Sequence, residues 1–532
     1  MLGTADSKPV KRCKEAEVES RAEEDLVNAS GHRQEVDRNF GLFNIIGLGL
    51  SSGNTWIALG GSIVTAIGNG GPPGVIYELI AASVFYWFIA ASIAELASAL
   101  PSSGGVHHWA SVTAGPYGRV CGWFAGWWNF FAWIFGAAST TQIVAAQSVS
   151  MYALFHPGFE WQRWHVFVSY IIITWMCCLL VAFANRAMPT VEALGGTLVL
   201  LGFIITLVVC AVMPHRNNQP YASNSFVWRD WKNETGWSSN GLVFCLGMLN
   251  GAFAVGTADV ISHLAEEVPR PAKNIPLGIL AQYVIGFITA LCFAAGIFYG
   301  IYDLDAVVKS ADLFPLTEIY RQTTGSAGGS LGLLIVAMIP LFAAIIGCYL
   351  TSSRVFWTLA RDHAAPCSHF FSRINRTQRN PFNSILLCGL FCTVLGCIYV
   401  GNSTAFSAFA DSFVVLTSLS YLAAILPHLL TNRANLRPGW FRMKGYVGYV
   451  VNAISSLYII VFVVLFCFPF AMPTDPQNMN YTCLITGGLS LFIVAFWFWR
   501  QGDYEGACSA AGLVTGWRRM PYRIELYRTS RT

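Results

Sequence analysis

Twelve long, mostly apolar stretches run through this 532-residue chain, near residues 41–66, 75–99, 119–153, 164–185, 191–213, 241–263, 277–301, 329–359, 382–402, 404–430, 447–472 and 482–499. A helix crossing the roughly 30 Å hydrocarbon core of a bilayer needs about 20 such residues, whereas a membrane β-strand needs only about 10. In lipid every backbone N–H and C=O must be satisfied internally, so segments of this length predict helices. The expected fold class is therefore an all-α polytopic membrane protein of about twelve transmembrane helices. Charged residues make up 11% of the chain, against about 25% in soluble domains. The gap at Gly401 and Asn402 is short enough to make spans nine and ten a tight hairpin.

Charge placement orients the bundle. With the N-terminus in the cytosol, all but six of the 32 Lys and Arg residues fall on the cytosolic side, the six being Arg163, Arg216, Arg229, Lys232, Lys309 and Arg321. That bias is the positive-inside pattern, and it predicts both termini cytosolic. The expected organisation is a disordered cytosolic tail over 1–38, a transporter domain over 39–500 and a cytosolic tail over 501–532. The 15 cysteines lie mostly inside apolar segments with no CxxC pair, so neither a zinc nor a redox site is expected. No metal site and no cofactor are expected, and a net charge of +4 spread by topology offers no nucleic-acid surface. Asn233, Asn402 and Asn480 begin N-glycosylation tripeptides on the expected outer side, a weak signal because Asn375 does so on the inner side.

Function is written in the residues that a simple lipid-facing helix does not need. Span one carries Gly47, Gly49, Ser51, Ser52, Gly53, Asn54 and Thr55 before Trp56, and span six carries Gly247, Asn250, Gly251, Gly256, Thr257 and Asp259. Glycine and small polar residues at mid-membrane mark places where a helix unwinds and exposes backbone groups, and irregular backbone at that depth lines a cavity or is buried in protein. The two runs lie five spans apart. Because five is odd, the second block of five is inverted relative to the first, which predicts a five-plus-five inverted repeat (a LeuT-like arrangement) with spans eleven and twelve added, and a solute site between the interrupted spans. Close helix packing through Gly49-x-x-x-Gly53, Gly122-x-x-x-Gly126 and Gly247-x-x-x-Gly251 is the competing explanation of the same glycines.

Asp259 is the sharpest single residue, since an acid inside a span costs about 2.5–3.5 kcal/mol on insertion scales and usually faces a partner or a water-filled cavity. It is a candidate for cation binding or proton carriage, and equally for capping the half-helix that follows the break, as is Thr257. Glu78, Glu95 and Asp411 sit nearer span ends and read as structural or gating acids. His263, four residues before Glu267, suggests a protonatable pair, with a helix-end contact as the alternative. Span three is rich in rings, Trp123, Phe124, Trp127, Trp128, Phe130, Phe131 and Trp133. Those facing the unwound segments, like Trp56 or Phe253, suit a quaternary ammonium through cation–π contacts.

Three stretches resemble fungal members of the amino acid, polyamine and organocation superfamily, in particular its choline and 4-aminobutyrate permeases: Gly53–Gly60, Ala94–Gly105 and His263–Pro276, the last similar to the family's cytosolic loop after span six. The resemblance implies solute held between spans one and six and uptake driven by an ion gradient, commonly protons. By position it implies span-one contacts from Ser51, Ser52, Gly53 and Asn54 and span-six contacts from Phe253, Gly256, Thr257 and Asp259. His107 and His108 stand where the family often has an aromatic residue.

The expected function is secondary active import of choline or a related small amine by proton symport, through a plasma-membrane permease rather than an enzyme, since no HExxH, GxSxG or paired-acid motif is present in the loops. Substrate contacts are expected from Ser51, Ser52, Gly53, Asn54, Trp56, Phe253, Gly256, Thr257 and Asp259, and coupling or gating from Asp259, His263 and Glu95. An amino acid or 4-aminobutyrate permease of the same fold is the alternative, its carboxylate held by helix N-termini near Ser52 and Gly53. A non-transporting nutrient sensor is the remaining one.

Overall fold

The computed structural model describes residues 34–504 and 506, apart from 54, 62, 64–66, 310–312 and 477–478. The expected tails lie almost wholly outside these residues. The principal helices are α1 Leu42–Gly53, α2 Thr55–Gly61, α3 Gly71–Ala99, α4 Val106–Thr113, α5 Gly118–Ala153, α6 Arg163–Phe183, α7 Met188–Arg216, α8 Asn240–Val255, α9 Pro271–Tyr299, α10 Ala327–Arg361, α11 Phe382–Gly401, α12 Ser403–Leu430, α13 Tyr446–Leu465 and α14 Thr482–Arg500. A 3₁₀ helix, Val260–Glu267, follows α8. Two short strands, β1 Asn69–Gly70 and β2 Lys232–Asn233, pair antiparallel with Asn69 opposite Asn233.

Among the described residues, eleven helical segments are long and apolar enough to cross a membrane, with α1 and α2 forming one and α8 with the 3₁₀ helix another. The helix α5 is not among the eleven. Its 36 residues reach about 54 Å at 1.5 Å per residue, but four tryptophans and many Gly, Ser and Thr positions depress its mean hydropathy. It is nonetheless the most centrally packed, lying along α12, α10, α4 and α6, so its composition reflects burial against protein rather than lipid. The Gly401–Asn402 hairpin between α11 and α12 is present. Asn480, a glycosylation candidate, is instead buried and donates its amide to the carbonyls of Phe466 and Phe468.

Span six is interrupted where the sequence places polar residues. The helix α8 stops at Val255, residues 256–259 are non-helical, and the chain resumes as 3₁₀. A helix end leaves carbonyls without intrahelical partners, and at this break three carbonyls find side chains. Tyr283 donates to Val255 O at 2.8 Å, Tyr421 to Gly256 O at 3.2 Å, and Gln282 to Thr257 O at 3.1 Å. Three donors from α9 and α12 thus hold the break open in a setting where water is scarce.

Span one differs from the expected unwinding. Gly47, Gly49, Ser51, Ser52 and Gly53 are all helical in α1, and the helix resumes at Thr55. Asn54 lies outside the described residues. The glycines serve close approach instead. A Cβ on Gly47 would stand 2.5 Å from Glu192 O and 2.7 Å from Ala193 Cα on α7, and one on Gly196 would stand 2.6 Å from Gly47 Cα. Gly251 meets Leu79 Cα of α3 at 3.0 Å in the same sense, and Gly247 makes room for the Glu78 carboxyl. Small residues let backbones approach where lipid supplies no hydrophobic drive for helix association.

Candidate functional site

A cavity of about 490 Å³ lies between the helix ends on the side opposite the basic face, its rim including the exposed Trp161 and Arg163. Its wall is built from α5 (Ser139, Gln142, Ile143), α8 (Asn250, Phe253), α11 (Tyr399) and α12 (Phe406, Asp411), together with Phe314 and Phe470 from loops. This volume falls in the range of small-molecule sites, about 300–1,000 Å³. Asp411 is half-buried on this wall and makes no hydrogen bond or ion pair with any described residue. Arg163, by contrast, already donates to the carbonyls of Gly401 (3.0 Å) and Val400 (3.4 Å).

Deeper, toward the break, a second void of about 40 Å³ is lined by Ser52, Gly53, Trp133, Thr140, Phe253, Thr257, Cys348 and Phe413. Phe253 and Ile143 line both spaces. Phe253 also meets Phe413 edge to face, with ring centroids 6.2 Å apart. A solute descending from the large cavity must therefore pass these two side chains to reach the backbone of spans one and six.

Below the second void the carboxylate of Asp259 is fully enclosed and accepts from four donors. Oδ2 takes Asn129 Nδ2 at 2.6 Å, Trp133 Nε1 at 3.2 Å and His263 Nε2 at 2.9 Å, while Oδ1 takes the Tyr421 hydroxyl at 2.6 Å. Neither cavity reaches it. The capping reading is corrected here, because the Asp259 side chain makes no cap bond to the 3₁₀ helix. Its partners lie on α5 and α12, so it ties the interrupted span to the two helices behind it.

His263 is held at both ring nitrogens. Nδ1 faces Ser103 O at 3.2 Å and Nε2 faces Asp259. A carbonyl oxygen only accepts, so Nδ1 carries a hydrogen. Nε2 then faces a carboxylate oxygen, and a hydrogen is needed there too. The pair thus holds one proton more than a neutral imidazole beside an ionised acid, and losing it sets two acceptors against each other. His263 is not paired with Glu267 as one sequence reading has it. Glu267 is held by Arg354 of α10 instead, while His263 Nε2 faces back to Asp259.

The basic face is closed. Glu267 accepts from Arg354 Nε at 2.9 Å, with Arg354 Nη2 also on Asn185 Oδ1 at 3.0 Å. Glu266 accepts both terminal nitrogens of Arg361 at 2.9 and 3.2 Å, and its N–H donates to Ser103 Oγ. Both acids lie on the lower half of span six and both arginines on α10, with every side chain less than one tenth exposed. One end of the pathway is therefore open and the other bolted by two charge pairs.

The structure brings Ser52, Gly53, Phe253 and Thr257 to the inner void. It places Ser51 elsewhere, donating to Glu192 Oε2 of α7 at 2.6 Å, and Trp56 against Phe293 with centroids 5.0 Å apart. Gly256 contributes a carbonyl to Tyr421 rather than a cavity surface, and Asn54 lies outside the described residues. Glu95 pairs with Arg433 and accepts from Met443 N, anchoring α3 to the 431–445 loop away from both cavities. Asn129, Gln142, Glu192, Gln282 and Tyr421 are missed by sequence reading, although each is a polar group inside an apolar span, the same signal that singles out Asp259.

The amino acid permease family model matches residues 40–489. Among curated relatives, the choline transporter of Saccharomyces cerevisiae is 32% identical, covering 86% of this chain and 81% of its own length. The 7-keto 8-aminopelargonic acid transporter of the same yeast is 26% identical over 88% of this chain and 93% of its own. Among solved structures, a manganese transporter of Eremococcus coleocola superposes with a TM-score of 0.53 over 87% of this chain and 94% of its own, at 14% identity, which speaks to fold alone. An interrupted span under a one-sided cavity, closed beneath by charge pairs, is the anatomy of a secondary transporter for a small molecule, and the chain belongs to the amino acid permease family of integral membrane transporters.

Proposed function

We propose that this permease imports choline or a closely related small amine together with protons, across the plasma membrane, with its basic face and both termini in the cytosol and the large cavity facing outside. The observation that carries the substrate class is Asp411, a carboxylate with no described partner on a cavity wall that includes Phe253, Phe314, Tyr399, Phe406 and Phe470. Choline is a permanent cation without a carboxylate. One acid and a surround of rings suit it, each ring contributing about 0.5–2 kcal/mol when the cation is desolvated. The 32% identical relative named as a choline transporter supports the same reading. An amino acid would instead place its carboxylate at Arg163 on the rim, whose Nη1 donates to two carbonyls.

Ser52, Gly53, Phe253 and Thr257 form the deeper resting place, between spans one and six of a five-plus-five repeat. The buried Asp259–His263 pair holds the coupling proton. Its loss sets His263 against Asp259 and loosens the Ser103 contact, so proton release on the cytosolic side accompanies opening of that face.

Radiolabelled choline uptake in permease-deficient cells tests the reading. Expression of the chain confers saturable uptake, and Asp411→Asn raises the choline KM about tenfold, corresponding to about 1.4 kcal/mol of lost binding. Choline uptake no greater than in empty cells, beside clear amino acid uptake, would overturn the substrate assignment.

A further inference from the structure

Outside the transport pathway, three side chains converge that the sequence reading leaves unconnected. His107 and His108 lie on α4, and Asp362 follows the last residue of α10. Both imidazole Nε2 atoms point at one carboxylate oxygen, Asp362 Oδ2, at 2.9 and 3.0 Å. All three groups are buried, and their ligand atoms lie within 4.8 Å of one another.

The outer contacts decide what belongs at the centre. His107 Nδ1 faces Gly122 O at 2.8 Å, so that nitrogen carries a hydrogen, and the contact between Nε2 and the carboxylate then needs a shared cation, a proton or a metal ion. Two acceptors at 2.9 Å repel unless a cation lies between them. His108 Nδ1 meets the Ser102 hydroxyl, which accepts from Gly104 N at 3.2 Å and can accept from or donate to the ring, so that the second Nε2 is available as a ligand in one tautomer and donates to Asp362 in the other. A backbone carbonyl and a hydroxyl fixing the far nitrogens is the arrangement that holds metal-ligating histidines in place.

We propose that His107 Nε2, His108 Nε2 and Asp362 Oδ2 form a site for a divalent transition metal ion of the zinc class. Two imidazoles and one carboxylate suit such an ion. Zinc bonds near 2.0 Å set tetrahedral ligands about 3.3 Å apart, so the observed Nε2–Oδ2 separations need widen by only a few tenths of an ångström. The neighbouring His363 is exposed, which gives the ion a short way in from the basic face. This proposal departs from the sequence expectation of no metal site. The absence of a CxxC pair is uninformative here, because the ligands come from an adjacent His-His pair and an acid more than 250 residues away.

The position gives the ion a consequence. Ser102 adjoins Ser103, which holds His263 and Glu266, and Asp362 adjoins Arg361, which holds Glu266. A metal joining α4 to the end of α10 braces both backing elements of the closed face, so it favours the state observed and slows passage out of it.

The test uses the full chain, purified in detergent, stripped with chelator and titrated with Co²⁺ as a spectroscopic probe and Zn²⁺ as competitor. Wild type is expected to develop the intense visible absorption of tetrahedral Co²⁺, to lose it on adding Zn²⁺, and to gain thermal stability with Zn²⁺. His107→Gln and Asp362→Asn are expected to abolish the absorption while remaining monodisperse, and His363→Gln, outside the ligand set, to retain it. Wild type that gives no Co²⁺ spectrum and no Zn²⁺-dependent stabilisation would overturn the proposal and leave a proton as the shared cation. So would a spectrum unchanged in His107→Gln. If the variants do not fold, direct metal analysis of wild type decides, retention of metal through gel filtration supporting the site and its loss refuting it.

Discussion

Replacing Asp259 by Asn separates the charge of this residue from its shape. Three donors meet Oδ2 and only the Tyr421 hydroxyl meets Oδ1. An Asn oxygen therefore takes the Oδ2 position and its NH₂ takes the other, donating to the Tyr421 oxygen, while Tyr421 redirects its hydrogen to Gly256 O, 3.2 Å away. Every polar atom keeps a neighbour of the right kind except His263, whose charged partner is gone. Hydrogen bonds to a charged group contribute about 1.5–3 kcal/mol and neutral ones about 0.5–1.5. Converting three such bonds at Oδ2 therefore costs about 3–4.5 kcal/mol. Asp259→Ala orphans four donors at about 1–3 kcal/mol each and is expected not to fold. The assay pairs thermal unfolding of purified protein with uptake over a pH series. Wild-type uptake is expected to fall as pH rises, because the extra proton on the Asp259–His263 pair becomes harder to load. Asp259→Asn is expected to melt several degrees lower yet stay folded, with slow uptake that no longer follows pH. Proton-dependent uptake with an unaltered pH profile in Asp259→Asn would refute the assignment of the coupling proton to this pair.

Gly47→Ala drives a methyl into the backbone of α7, with Glu192 O only 2.5 Å from the new carbon. Overpacking of this kind costs about 1–3 kcal/mol, so a lowered Tm and reduced surface expression are expected, and an unchanged Tm would show that the helices part easily. Glu267→Gln removes one member of a buried pair, a change that costs up to about 3–5 kcal/mol. It is expected to favour opening of the basic face, read as faster thiol labelling of an added Thr257→Cys from the cytosolic side; equal labelling rates would place the seal elsewhere. Phe253→Leu keeps the apolar bulk between the two cavities but removes the ring, and a choline KM raised severalfold with Phe253→Tyr near normal is the expected pattern. A KM unchanged in Phe253→Leu would exclude a cation–π role for that ring.

Much of the molecule follows from local chemistry. Twelve apolar runs, each too long for a membrane strand, dictate helices, and the break in span six is legible because Gly256, Thr257 and Asp259 interrupt a run that apolar residues would continue at less cost. The His-rich stretch after Pro101 and the acids Glu266 and Glu267 are also visible as charge near a span end, but their partners are not. Arg354, Arg361 and Asp362 lie roughly 90 to 255 residues further on, and no helical period connects them.

The sequence by itself determined where helices form, where basic residues gather and that span six is interrupted, because those outcomes depend on hydropathy, charge and propensity within some twenty residues. Tertiary structure alone decided which polar groups face one another. It turned the glycines of span one from an unwinding signal into a contact surface for α7, since their missing side chains matter only where a second backbone arrives. It withdrew Asp259 from the cavity into a cage of four donors and left Asp411 as the acid on the cavity wall. Packing sets how close two distant segments stand, and it is that closeness that fixes the role of a buried carboxylate.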